Sequence, residues 1–170
     1  NEINIPVDNQ IPLSKDREAL AAFLKENVQA NTMQFDSLRE RFDYLLKEDY
    51  IEAALVEEYS FDFIEKLYDF LKQQDFHFQS FMAAYKFYAQ YALKTNNNEY
   101  YLENFIDRVA MNALYFADGN EELAMNIADE IIHQRYQPAT PSFLNAGRKH
   151  RGELVSCFLI QANDDMNSIG

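Results

Sequence analysis

From Leu13 to Arg135 apolar side chains return every three or four positions, the spacing that lines one face of an α-helix. "REALAAFLKENV" sets Leu20, Phe23, Leu24 and Val28 on one stripe, and "FDSLRERFDYLLKE" does the same with Phe35, Leu38, Phe42, Leu45 and Leu46. "FDFIEKLYDFL" repeats the pattern with Phe61, Ile64, Leu67, Tyr68 and Leu71. "FMAAYKFYAQYAL" is apolar on most sides, which predicts a central helix, and "YLENFIDRVAMNALYFA" and "ELAMNIADEIIHQ" complete the series. The stretch has no proline, and its only glycine is Gly119, so six or seven helices are expected. Ser14 or Asp16 is placed to cap the first, Ser60 the one starting at 61, and Asn120, backed by Glu121 and Glu122, the last. "KTNNNEY" at 94–100 is the clearest loop, and "QQDFHFQS" at 73–80 suggests a boundary between a front and a back helical unit.

The pattern changes at Tyr136. "YQPATPSFLNAG" carries Pro138 and Pro141 three residues apart, which argues against a helix interior and for extended backbone. "GELVSCFLI" then reads as a buried strand, with Val155, Cys157 and Leu159 on one side and Leu154, Ser156, Phe158 and Ile160 on the other. A single strand cannot satisfy its own backbone, so its pairing strands are expected downstream of Gly170. Three regions result: residues 1–75 and 76–135, both helical, and 136–170, which opens a different architecture.

Composition narrows the class. With 48% hydrophobic and 15% aromatic residues in 170, the chain is globular, with room for one domain or for one and the opening of a second. A net charge of −13 disfavours nucleic acid and anionic membrane partners, which need lysine and arginine facing phosphates. Residues 136–170 hold three charges of each sign, so the surplus sits on the helices, which are expected to form a solvated acidic shell. No apolar run approaches the ~20 residues of a membrane span, and "NEINIPVDNQ" is expected to be neither a signal nor a transit peptide. Cys157 is the single cysteine; no internal disulfide is possible, and a reducing, cytoplasmic setting is expected. His77, His133 and His150 are scattered, so no metal site is expected, and no glycine pattern matches a phosphate-cradling loop. "RKHR" at 148–151 is expected to be a solvated turn.

"YQPATPSFLNAGRKHRGELVSCFLIQANDDMNSIG" resembles the start of the catalytic barrel in the large (alpha) subunit of class Ib ribonucleotide reductases, and the helices before it, including "SFMAAYKFYAQYALKT", resemble that subunit's N-terminal region. The resemblance implies a mainly α fold: an N-terminal helical region, whose first 75 residues would form at most a reduced ATP-cone-like unit, leading into the first strand of a ten-stranded α/β barrel. It implies thiyl-radical reduction of ribonucleoside diphosphates to deoxyribonucleotides. A redox dithiol would supply the electrons, dNTP and ATP would act as effectors, and the metal-radical cofactor would reside in a small subunit. A thioredoxin- or glutaredoxin-like reductant and a second large subunit would complete the set of partners.

Residue by residue, the resemblance makes Cys157 the first of the redox pair and Thr140 and Ser156 substrate contacts. It makes Asp164 a contact to the deoxyribose of an effector. A thiol suits the first role because it can protonate a departing hydroxyl, give up electrons and be regenerated by exchange. Hydroxyls suit the second because they bind phosphate oxygens without bulk. Taken without the resemblance, Cys157 reads as a packed core thiol, Thr140 as a turn residue before proline, Ser156 as a satisfied core hydroxyl and Asp164, like Asp165, as a solvated loop acid. The rival assignment is an acidic helical interaction module with no catalytic activity. In the reductase reading the remaining cysteines and relay tyrosines lie beyond Gly170, and these 170 residues alone are expected to be inactive.

Overall fold

The computed structural model describes residues 13–152 and Leu154. The expected strand, with Ser156 and Cys157, and the effector contact Asp164 lie outside the described residues. Eight α-helices form among the described residues: α1 Leu13–Phe23, α2 Leu38–Lys47, α3 Ala53–Glu57, α4 Phe61–Gln73, α5 Phe81–Lys86, α6 Phe105–Ala117, α7 Glu121–Ile132 and α8 Thr140–Asn145. Two of them run on into π-helical turns, Leu24–Val28 after α1 and Phe87–Tyr91 after α5. Extended pairing is limited, among these residues, to isolated bridges such as Lys94 with Tyr101 and Thr32 with Tyr101.

The apolar stripes meet in one main core. Phe42 and Leu45 from α2, Ile64, Leu67, Tyr68 and Leu71 from α4, and Val109, Ala110, Ala113 and Leu114 from α6 are buried together, and α7 closes the layer with Ala124, Ala128, Ile131 and Ile132. The small residues on facing sides of α6 and α7 let these two helices approach closely. A second core joins Phe23 and Val28 to Ala84, Phe87, Tyr88, Tyr91 and Ala92. Phe76 and Phe78 lie between the two cores, Phe76 stacked on Phe105 with 4.1 Å between ring centroids.

Local signals explain most helix starts. The hydroxyls of Ser37, Ser60 and Ser80 accept from the backbone N–H three residues on, and Asn120 does the same for α7. Asn104 and Asp107 form a reciprocal capping box at the start of α6. The turn between α6 and α7 uses left-handed backbone at Asp118 and Gly119, where Gly119 N–H donates to the Tyr59 hydroxyl at 2.9 Å.

Four expectations are corrected. Ser14 lies inside α1, and Asp16, instead of capping it, accepts from the Phe81 N–H at 3.3 Å and so ties α1 to α5. The helix starting at Phe81 is not central: Met82 is 63% exposed and Tyr85 49%, and the central helix is α6. The proline pair does not enforce extended backbone, because Pro141 sits in the first turn of α8, where a missing N–H leaves no intrahelical bond unmade, and Pro138 precedes the cap residue Ala139. In "RKHR" the solvated reading holds for Lys149, His150 and Arg151, which are exposed, but not for Arg148, whose side chain is largely buried.

Candidate functional site

The segment that carries the expected substrate contact is anchored to α6 through buried charge. Arg108 is fully buried, Glu103 is 2% exposed, and their side chains are 3.3 Å apart. The Arg108 guanidinium reaches the carbonyls of Leu144, at 3.3 Å, and Ala146, at the end of α8. One turn on, Asn112 donates to the carbonyls of Arg108 at 2.8 Å and Phe143 at 3.1 Å. Arg148 turns back to the same carboxylate, 3.1 Å from Glu103 Oε1, and also donates to the Tyr91 carbonyl. Glu103 accepts in addition from Leu93 N–H at 3.0 Å. Gly147, at φ +77°, allows this return: a Cβ there would sit 2.6 Å from Met111 Cε and 2.9 Å from Leu55 Cδ2.

Burial alone would raise the Glu103 carboxyl, but Arg108, Arg148 and Arg41 together hold it below the usual carboxylate range. Burial pushes Arg108 down, against the pull of Glu103, to about 10, so both groups are charged near neutrality. The seam continues to Arg41, which donates to the Leu102 carbonyl at 2.9 Å and approaches Asp107 at 3.5 Å. Asp107 moves the other way from Glu103, because burial raises it more than Arg41 lowers it.

Of the residues singled out from sequence, Thr140 is the one among the described residues. It opens α8, is exposed, and its Oγ1 lies 3.2 Å from the hydroxyl of the buried Tyr91. Tyr91 in turn packs edge-on against Phe143 at 5.4 Å between centroids. Two residues past Thr140, the Ser142 hydroxyl donates to the Leu154 carbonyl at 2.9 Å, so the same short helix touches the start of the "LVSC" segment. His77 pairs with Asp75 and His133 with Asp129, and no group of three or more metal-ligating side chains gathers among the described residues.

Comparison with known proteins supplies the context for this geometry. The family model described as "Ribonucleotide reductase N-terminal" matches residues 1–76, and "Ribonucleotide reductase, all-alpha domain" matches 77–151. This chain belongs to the ribonucleotide reductase family. It is 46% identical over 169 residues to the NrdEB alpha subunit of ribonucleoside-diphosphate reductase from Bacillus subtilis (strain 168), an alignment that covers 99% of this chain and 16% of that protein. It is 45% identical over 169 residues to the ribonucleoside-diphosphate reductase subunit alpha of the same organism, covering 99% and 24%. The corresponding subunit of Mycoplasma genitalium is 46% identical over 155 residues, covering 91% and 22%. The chain thus spans between about a sixth and a quarter of the length of these relatives.

Tyr91, Glu103, Arg108 and Asn112 were not singled out from the sequence, and Arg148 was expected only as part of a solvated turn. A signal existed in "FIDRVAMNAL", where Arg108 and Asn112, four apart, interrupt an otherwise apolar helix face. Such a pair is buried only when another segment covers it, as α8 does here.

Proposed function

We propose that this chain is the N-terminal part of the large subunit of a class Ib ribonucleotide reductase. The observation that carries the proposal is the match of both family models across residues 1–151, with 45–46% identity to alpha subunits named for ribonucleoside-diphosphate reduction. In this reading residues 1–75 and 76–135 are helical units in front of the catalytic barrel that begins in 136–170. Thr140 and Ser156 hold substrate, Asp164 contacts a nucleotide effector, and Cys157 is one half of the redox dithiol. The substrate's 2′-hydroxyl leaves as water, two thiols become a disulfide, and a thioredoxin- or glutaredoxin-like dithiol restores them. A separate small subunit supplies the metal-radical cofactor, and the large subunit pairs with a second copy in the reducing cytoplasm.

What the described geometry adds is rigidity on the substrate side. Arg108 and Asn112 fix three carbonyls of the α8 region, so the Thr140 hydroxyl is presented from a fixed backbone instead of a free loop. The test is nucleoside diphosphate reduction by the full-length large subunit with its small subunit and a dithiol reductant. Cys157→Ser is expected to abolish dithiol-dependent turnover; near-normal turnover overturns the assignment.

A further inference from the structure

Tyr91 reaches the expected substrate side from a separate helical stretch of the chain. It is the last residue of the π-helical turn Phe87–Tyr91, whose wider winding offsets this ring from the α-helical register of α5. Its main chain and its side chain both engage the 136–152 segment: the carbonyl accepts from Arg148, and the hydroxyl meets Thr140 Oγ1 at 3.2 Å. The ring is held on two sides, stacked with Phe87 at 6.4 Å and edge-on to Phe143 at 5.4 Å. A buried tyrosine with so fixed a ring has little freedom in where its hydroxyl points.

We propose that Tyr91 is a positioning residue that orients the Thr140 hydroxyl as a donor toward a phosphate oxygen of the nucleoside diphosphate. The inference rests on the reading of Thr140 as a substrate contact. A phosphate oxygen accepts hydrogen bonds and has none to give, so Thr140 must donate to it. The Thr140 oxygen then keeps lone pairs for a donor behind it, and the Tyr91 hydroxyl is that donor. The chain Tyr91 to Thr140 to phosphate runs in one direction, and each bond polarises the next. Without the tyrosine hydroxyl, Thr140 is free to rotate and to donate elsewhere.

The experiment measures steady-state kinetics of the full-length large subunit with its small subunit, for Tyr91→Phe, Thr140→Val and the double variant. Tyr91→Phe is expected to raise KM for the nucleoside diphosphate roughly 3- to 10-fold with kcat nearly unchanged, the range set by one hydrogen bond. The double variant is expected to match Thr140→Val alone, since the tyrosine acts through the threonine. An unchanged KM in Tyr91→Phe beside a raised KM in Thr140→Val overturns the proposal, as do two effects that multiply. An unchanged KM in Thr140→Val removes the threonine from the substrate site, and overturns the reading beneath the proposal. Should Tyr91→Phe fail to fold, 3-fluorotyrosine placed at position 91 gives a second readout: its fluorine resonance is expected to shift when nucleoside diphosphate is added, and a fixed resonance overturns the proposal.

Discussion

The main core and the charged seam beside it hold the molecule by opposite means. Between α4, α6 and α7 the contacts are mostly apolar, so stability follows from area removed from water and tolerates modest change of shape. Between α6 and α8 the contacts run through Arg108, Glu103, Asn112 and Arg148, where each group depends on specific partners. Among the described residues the seam is not saturated: Arg108 Nε, Arg148 Nε and Asn112 Oδ1 find no hydrogen-bond partner there. An apolar contact between α6 and α8 would give comparable stability, but it would not fix the carbonyls of α8 in direction. The difference teaches that this protein uses hydrophobic packing to fold its helices and buried charge to aim one short segment.

The largest expected effect comes from breaking the seam. Glu103→Ala leaves Arg108 and Arg148 buried without their shared carboxylate and is expected to destabilise by about 3–5 kcal/mol. Hydrogen exchange should localise the loss to the amides of residues 140–148, and uniform loosening of α4 and α7 would contradict the division between seam and core. In the core, Leu67→Ala removes a fully buried side chain and is expected to cost about 2–5 kcal/mol in urea unfolding, with α8 amides affected no more than the rest.

Acid sharpens the same comparison. Because Glu103 titrates below its unfolded value, its contribution is fully present above about pH 4.5 and fades as pH falls through the depressed folded value. Asp107 has the reverse sign: raised on folding, it opposes stability once pH climbs past its unfolded value. Glu103→Gln is therefore expected to flatten the acid limb of the stability curve below pH 4.5, measured by urea unfolding across pH against the unsubstituted chain. An unchanged limb would mean that the carboxylate titrates as freely folded as unfolded.

Smaller effects belong to backbone geometry. Gly147→Ala is expected to cost about 1–3 kcal/mol, since the left-handed backbone and the contacts with Met111 and Leu55 both oppose a Cβ. Asn104→Ala removes the capping box of α6 and is expected to cost about 1 kcal/mol by thermal unfolding.

Helices α2, α4, α6 and α7 were legible because a period of 3.6 in apolar residues needs no knowledge of the partner face. The caps at Ser60 and Asn120 were legible for the same reason, being local hydrogen bonds over three residues. Helix α8 was not, since a proline pair is compatible both with extended backbone and with a helix's first turn, and the carbonyl anchors that decide between them come from Arg108 and Asn112, more than 30 residues earlier. Of the proposed site residues, the family resemblance carried by "ATP" and "VSC" singled out Thr140 and Cys157, but it gave no hint of Tyr91, which belongs to another stretch of chain and looks there like any core aromatic.

Sequence by itself determined the family, the helical class and the faces those helices bury, because periodicity, capping and motif are properties of neighbouring residues. Tertiary structure alone decided which charges go inside. Arg148 reads as solvated until Glu103 is seen to meet both it and Arg108, across 45 and 5 positions, and only a folded chain brings such groups within 3.3 Å in surroundings poor enough in water for the attraction to hold.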